Sequence, residues 1–341
     1  MTGTVLVARL DSDGDVLLGG PLVRAVAAGA ERVVLLAGPR GAAAARLLPG
    51  VDDVLVWRCP WIDPEPGPVD PAEVADLVAR LRALGVDRAL VLSSYHQSPL
   101  PTALVLRLAG VGWVGATSED YPGSLLDLRH RLPEDGLHEV ERMRSLAAAA
   151  GFELPVGDDG GLAVRRPLPD VSGLVGPGPY VVLHPGASVP ARQPSAWWSA
   201  GLAGALTAAG HRVLVTGGPG ERALTAEVAA GSGEDLGGAT DLAGLAGVLD
   251  GAAVVVVGNT GPAHLAAAVG TPVVSLFAPV VPVERWRPWG VPTVVVGDQH
   301  AACRLSRART CPVPGHPGLD GADVGDVLAA VSQLPGQEVP A

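Results

Sequence analysis

The stretch 254–277, VVVVGNTGPAHLAAAVGTPVVSLF, decides the fold. Its four leading valines suit a strand buried on both faces. Gly258-Asn259-Thr260-Gly261 then breaks the strand, and Pro262 fits a first helical turn, where a missing N–H costs nothing. Residues 263–269 are small and helix-compatible, Gly270 ends the helix, and 271–277 begins a second strand. The pattern is a βαβ unit. The free N–H groups at such a helix start form an anion site at the carboxyl edge of a parallel sheet. Asn259, Thr260, Gly261 and His264 surround that start. On these residues alone two readings stand side by side: an anion cradle, or a turn capped by Asn259 or Thr260 with His264 in the core.

Working outward, the same alternation runs through the chain. Strands are expected at 4–10, 32–36, 53–56, 88–92 and 112–114, with helices at 16–28, 41–47, 71–84, 101–108 and 136–150. Pro21 falls inside the first helical pattern, so that helix should start late or kink. Residues 57–71, rich in proline and acid, read as a loop at the carboxyl edge of the sheet. Residues 152–178 read as a linker. A second series follows, with strands at 180–183, 212–216, 253–257, 273–277 and 293–296 and helices at 197–209, 219–230, 241–249, 262–268 and 321–332. Alternating strands and helices imply open parallel sheets with right-handed crossovers. The expectation is an α/β chain of two doubly wound, Rossmann-like domains, 1–165 and 166–341, whose sheet edges face each other across a cleft.

The bulk composition narrows the function classes. At 341 residues and 48% hydrophobic, the chain has material for two cores. A net charge of -11 argues against non-specific nucleic-acid binding and against an anionic membrane surface. All 24 cations are arginine, so any phosphate clamp is arginine or backbone. The 46 glycines and 32 prolines fit a GC-rich coding bias. Three cysteines are too few for a disulfide scaffold and suit a reducing compartment. The start MTGTVLVARL is strand-like rather than a basic leader, and no apolar run reaches membrane-spanning length. The expected location is the cytoplasm, with at most peripheral membrane contact.

Four constellations carry candidate chemistry. The first is RLDSDGDVLLGGP, residues 9–21, an acidic turn after the first strand. Ser12, Asp13, Gly14 and Asp15 lie there; Gly14 permits close approach of a substrate, and Asp15 opens a helix. The plainer reading is N-capping and a helix-dipole acid. The second is HPGASVPAR, residues 184–192, with His184, Gly186, Ser188 and Arg192; it is otherwise a turn with a solvated cation. The third is TGGPGER, residues 216–222, with Gly217, Gly218 and Glu221. It is neither G-x-G-x-x-G nor a lysine-bearing phosphate loop. The fourth is CRLSRARTCPVPGHP, residues 303–317, where Cys303, Cys311 and His316 lack the spacing and the fourth ligand of a zinc site. Arg304, Arg307 and Arg309 make it the most basic patch, suited to an acidic acceptor.

These motifs together resemble glycosyltransferase family 9, the bacterial ADP-heptose:lipopolysaccharide heptosyltransferases. The family pattern G/S-N-D-T/S-G-x-x-H-L-A-A-A followed by G-x-P is similar to Gly258, Thr260-Gly261, His264–Ala268 and Gly270-Thr271-Pro272. Asn259 stands in the place of the usual aspartate, and the stretch is one residue shorter. Arg9, Ser12, Gly14, Asp15 and Pro21 match R-x-S-S-x-G-D-x-x-x-x-x-P, while Asp11 and Asp13 replace small and apolar residues. HPGASVPAR resembles H/N-P-G-A-S/T-x-x-x-K-x-W, with Trp197 or Trp198 for the tryptophan. TGGPGER resembles the G-G-P-x-E/D turn, and DLGGAT at 235–240 resembles N-L-x-G-K-T with Ala239 for the lysine. The Cys303–Pro317 segment matches parts of a Cys-rich family loop. The resemblance is weak over 57–178, where the family binds its acceptor.

The resemblance implies a GT-B fold and a metal-independent inverting transferase with no cofactor beyond a nucleotide-sugar co-substrate, an ADP-sugar among the candidates. It casts Asp15 as the base. Ser188, Arg192 and the helix start at Asn259, Thr260, Gly261 and His264 hold the donor diphosphate, with His184, Gly186, Gly217, Gly218 and Glu221 nearby. Ser12, Asp13 and Gly14 fall on the acceptor side. The sugar defaults to a heptose, and the acceptor to a glycan, a lipid-linked saccharide or a small molecule. Two rivals are a nucleotide-sugar epimerase of the same fold and a non-catalytic nucleotide-binding member.

Overall fold

The computed structural model describes residues 2–132 and 136–335. The chain divides into two compact units that meet in sequence at Arg165 and Arg166. The outermost expected residues, Met1 and 336–341, lie outside the described residues. Among the described residues no helix is long and apolar enough to cross a membrane.

The first unit runs β1 (Thr2–Arg9), α1 (Asp13–Leu18), α2 (Gly20–Gly29), β2 (Ala30–Ala37), α3 (Ala42–Leu47), β3 (Asp53–Val56), α4 (Pro71–Ala83), β4 (Arg88–Val91), α5 (Leu100–Leu108), β5 (Trp113–Thr117), β6 (Leu128–His130) and α6 (Glu139–Ala149). Its six strands are parallel and ordered β3-β2-β1-β4-β5-β6. Val5, Leu6, Val7 and Ala8 of β1 are fully buried, as expected for a central strand with helices on both faces. The chain leaves β1 in one direction and returns at β4 on its other side. The carboxyl ends of β1 and β4 are therefore the switch point, where such sheets place a crevice. Pro21 has its expected effect. The helical pattern divides at Gly19, α1 stopping at Leu18 and α2 starting at Gly20 with the proline in its first turn.

The second unit runs α7 (Ser172–Val175), β7 (Val181–His184), α8 (Ala196–Ala208), β8 (Val213–Gly217), α9 (Arg222–Ala229), β9 (Glu234–Gly237), α10 (Leu242–Asp250), β10 (Val254–Gly258), α11 (Gly261–Val269), β11 (Val273–Leu276), α12 (Val283–Trp286), β12 (Thr293–Val296) and α13 (Val324–Gln333). Its parallel order is β12-β11-β10-β7-β8-β9. The switch point lies between β7 and β10, in register as Val257 against His184. Phe277, Val256, Leu202, Trp198 and Val327 belong to one continuous core.

Two edge strands, β6 and β9, and the short helices α7 and α12 are absent from the sequence expectation. LRH and EDLG lack an apolar run because each sits at the rim of its sheet, with one side unpaired. Three helices start three residues later than expected. α6 begins at Glu139 with His138 as N-cap, α9 follows a 3-10 turn at Pro219–Glu221, and α13 begins behind the N-cap Asp323.

Candidate functional site

In the first unit the acidic turn closes on the last residue of β1. Arg9 is 1% exposed. Its Nη2 donates to Asp15 Oδ1 at 3.0 Å and to Ser94 Oγ at 3.0 Å, and its Nε stands 3.2 Å from Asp11 Oδ2. Burial works against this guanidinium's charge, and Asp11, Asp15 and Glu139 outweigh it, holding the pKa above its ordinary value. Asp15 Oδ2 accepts from Ser12 Oγ at 2.7 Å and from Ser12 N at 3.3 Å. The Asp15 side chain remains about a quarter exposed, at 23%. A carboxylate held at both oxygens and open to solvent can take a proton from a hydroxyl. Asp13 turns elsewhere: its Oδ1 accepts from Ala44 N at 2.9 Å, tying the turn to the first residues of α3. Gly14 is buried beneath the turn.

The loop after β4 completes this end of the sheet. Gln97 donates to Asp11 Oδ1 at 2.6 Å and accepts from Ser94 N at 2.9 Å. From α6, buried Glu139 lies 3.4 Å from Arg142, which donates to the Ser93 carbonyl. Ser94, Gln97, Glu139 and Arg142 are missing from the sequence reading. The available signal was the polar run SSYHQS directly after the β4 strand, which topology places beside β1.

In the second unit the loops after β7 and β10 meet. A Cβ on Gly258 would lie 2.7 Å from the Arg192 carbonyl oxygen, so glycine is what lets the two loops touch. Asn259 is 4% exposed; its Oδ1 accepts from Ala278 N at 3.2 Å, which leaves Nδ2 buried with no hydrogen-bond partner. Thr260 is the N-cap of α11, yet its hydroxyl makes no cap bond and is likewise buried without a partner. Buried polar atoms are normally satisfied. Two unsatisfied ones side by side at a helix start, where the dipole favours negative charge, are suited to an anion. Gly261 and His264 occupy the first turn of that helix, His264 buried. Ser188 is exposed on the β7 loop and Arg192 half-buried in its 3-10 turn.

His184, Glu221 and three glycines, Gly186, Gly217 and Gly218, lie together at the ends of β7 and β8 and on the loops after them. His184 Nδ1 lies 3.0 Å from Thr216 Oγ1, and Nε2 lies 3.8 Å from Glu221 Oε2. Burial lowers the imidazole's pKa against the opposing pull of Glu221. Glu221 also accepts from Gly218 N at 2.7 Å, and its carboxyl group fills the space a Cβ on Gly186 would need. Gly217 packs against buried Thr225. The two tryptophans part company: Trp198 is buried and donates to the Ala322 carbonyl at 3.1 Å, whereas Trp197 is 68% exposed.

The 303–317 loop braces the β7 loop. Ala191 N donates to the Arg309 carbonyl at 2.9 Å, the Ala191 carbonyl is 3.1 Å from His316 Nε2, and Ser195 N donates to Asp320 at 2.8 Å. Cys303 and Cys311 are free thiols in mutual contact, and burial first, then Cys311, raises the Cys303 pKa. No cluster of metal-ligating side chains occurs among the described residues.

Comparison with known proteins adds a family. The family model described as glycosyltransferase family 9 (heptosyltransferase) matches residues 74–316. Lipopolysaccharide heptosyltransferase 1 of Pseudomonas aeruginosa is 40% identical over 154 residues, spanning 43% of this chain and 41% of that protein. The match therefore covers about two fifths of that relative's length. Among solved structures, ADP-heptose lps heptosyltransferase II of E. coli superposes with a TM-score of 0.71 at 20% identity, covering 98% of this chain and 99% of the other. E. coli heptosyltransferase WaaC, solved with ADP-2-deoxy-2-fluoro heptose, gives 0.66 at 22% identity, covering 86% and 92%. These likenesses identify the fold as GT-B, two parallel-sheet domains of the Rossmann kind.

Proposed function

The chain belongs to glycosyltransferase family 9, and from that premise we propose that it transfers a sugar, a heptose in the first instance, from an ADP-sugar to a hydroxyl of a lipopolysaccharide precursor. The observation that carries this reading is the pair of unpartnered buried groups, Asn259 Nδ2 and Thr260 Oγ1, at the start of α11. Together with the α11 amides, Ser188 and Arg192, they suit the charge of a departing nucleoside diphosphate. The solved relative that holds an ADP-sugar analogue supports the choice of nucleotide.

The reaction is a single displacement with inversion. Asp15 takes the acceptor's proton while the diphosphate leaves on the opposite face of the sugar. An ordinary carboxylate, with a reference pKa near 3.9, is a weak base, which suffices when proton transfer is late and the anomeric carbon is already cationic. Backbone amides and Arg192 take up the leaving-group charge without a metal. Ser12 fixes the rotamer of Asp15, and Asp13 shapes the turn. The work is placed at the cytoplasmic side, with peripheral contact to a lipid-linked acceptor.

The test follows ADP release from ADP-heptose in the presence of heptose-deficient lipopolysaccharide, alongside calorimetry with ADP, UDP and GDP. The wild-type chain is expected to bind ADP preferentially and to release it only with acceptor. Asp15→Asn should lose at least about 10²-fold in rate with ADP affinity unchanged. ADP binding without release, at wild-type and variant alike, would identify a non-catalytic binder. An isomerised sugar from donor alone would identify an epimerase.

A further inference from the structure

The turn at the end of β1 contains more than the proposed base requires. One buried guanidinium serves two carboxylates: Arg9 Nε stands 3.2 Å from Asp11 Oδ2 and Arg9 Nη2 3.0 Å from Asp15 Oδ1. Asp11 is fixed at its other oxygen by Gln97 Nε2 at 2.6 Å, and Gln97 is fixed in turn by Ser94 N. Asp11 is 12% exposed against 23% for Asp15. The more buried partner is thus locked in place by the β4 loop, and the more open one faces solvent. Other charged groups bear on the pair from each neighbouring element. Glu139 of α6 acts on both Arg9 and Asp11, with Arg142 beside it. The Cys59 thiol in the loop after β3 feels Asp11 and, pushed up to about 12 chiefly by burial, stays protonated. Asp13 on the same turn is bonded to Ala44 and faces Arg40.

An arginine that serves one carboxylate alone lowers its basicity by a factor of roughly 10 to 1,000. Here a second carboxylate stands against the same guanidinium. We propose that Asp11 is a positioning residue for Asp15: paired to the Nε side of Arg9, it sets a second negative charge beside Asp15, offsets the arginine's pull and leaves Asp15 a stronger proton acceptor than an isolated Asp–Arg pair. The proposal rests on the reading of Asp15 as the base. It extends that reading by naming the residue that sets the base's strength.

The test needs no substrate. The full chain is labelled with 13C at the aspartate carboxyl carbons and titrated by NMR; the resonance missing in Asp15→Asn identifies Asp15. Asp11→Asn keeps the size of the side chain and the Gln97 contact while removing the charge. The Asp15 midpoint is then expected to fall by about one pH unit, a tenfold loss of basicity. A midpoint that stays in place or rises overturns the proposal. If Asp11→Asn does not fold, Asp11→Ser is titrated with the same expectation; a chain that folds with neither assigns Asp11 to the fold and overturns the proposal as well. Because the readout is a titration, a missing transferase activity and a failed role for Asp11 are separate results.

Discussion

At the scale of single residues, the informative groups are those the fold leaves unsatisfied. Thr260 is a helix N-cap that does not cap, its hydroxyl buried without a partner. A residue retained for the fold would lose stability when its hydroxyl is removed, by about 1 kcal/mol for a lost cap. One that waits for a ligand would not. Thr260→Val is therefore expected to leave the melting temperature of the free chain unchanged or higher. It should weaken ADP about tenfold, the worth of one hydrogen bond to a charged group, roughly 1.5 kcal/mol. Calorimetry and thermal unfolding on the same preparation check both halves. His184 makes the opposite case. Burial holds its imidazole below the ordinary 6.5, so as pH falls the unfolded chain binds the proton first. Its contribution to stability is complete above about pH 6.5 and declines toward the folded-state pKa. Wild type should therefore lose more melting temperature than His184→Asn between pH 7 and 5; parallel curves would show that the histidine does not titrate with unfolding. The sequence made these residues visible as candidates but not their roles. Asn259, Thr260 and His184 sit in polar motifs after apolar strands, yet which of them is satisfied internally depends on Ala278, Thr216 and Glu221, each supplied by another part of the fold.

At the scale of elements, the central strands were legible and the rims were not. β1, β7, β10 and β11 are buried on both faces, so apolar runs announce them. β6 and β9 have one unpaired side and carry Arg129, His130, Glu234 and Asp235, which hides them in loop-like composition. The braces between loops were equally out of reach, because they join partners more than a hundred residues apart: Ala191 to Arg309 and His316, Ser195 to Asp320. What the sequence did carry was Gly258, the glycine at the end of β10. Its meaning becomes physical once the Arg192 carbonyl is seen 2.7 Å from where a Cβ would stand. The obstacle is backbone, not the movable end of a side chain. Gly258→Ala must therefore displace the whole 3-10 turn that carries Arg192. The expected outcome is a folded chain with a modestly lower melting temperature and an ADP affinity reduced tenfold or more, about 1.4 kcal/mol. An unchanged affinity by calorimetry would show that the meeting of these two loops does not shape the anion cradle.

At the scale of the whole molecule, the two units are separate folding problems with one solution. Each builds its own six-stranded parallel sheet, and each sheet reverses its direction of growth at a central strand. The division near residue 165 follows from where the hydrophobic periodicity lapses, since 152–178 holds one four-residue helix and no strand. Two sheets of the same design give two switch points, and the chemistry assigned to them differs: carboxylates at the end of β1, anion-accepting groups at the end of β10. If that division of labour is correct, a nucleotide should be felt by one unit first. Ligand bound to the native state suppresses local opening by RT ln(1 + [L]/Kd), about 2.7 kcal/mol at a hundredfold excess over Kd. Hydrogen exchange with ADP present is therefore expected to slow in peptides spanning 184–193 and 256–264. It should slow more weakly across 303–316, which reaches the site through Arg309 and His316. Peptides spanning 9–21 should exchange as in the free chain, because their carboxylates offer nothing to a diphosphate. Protection that appears across 9–21 and not across 256–264 would move the donor to the first unit and reverse the assignment of the two switch points.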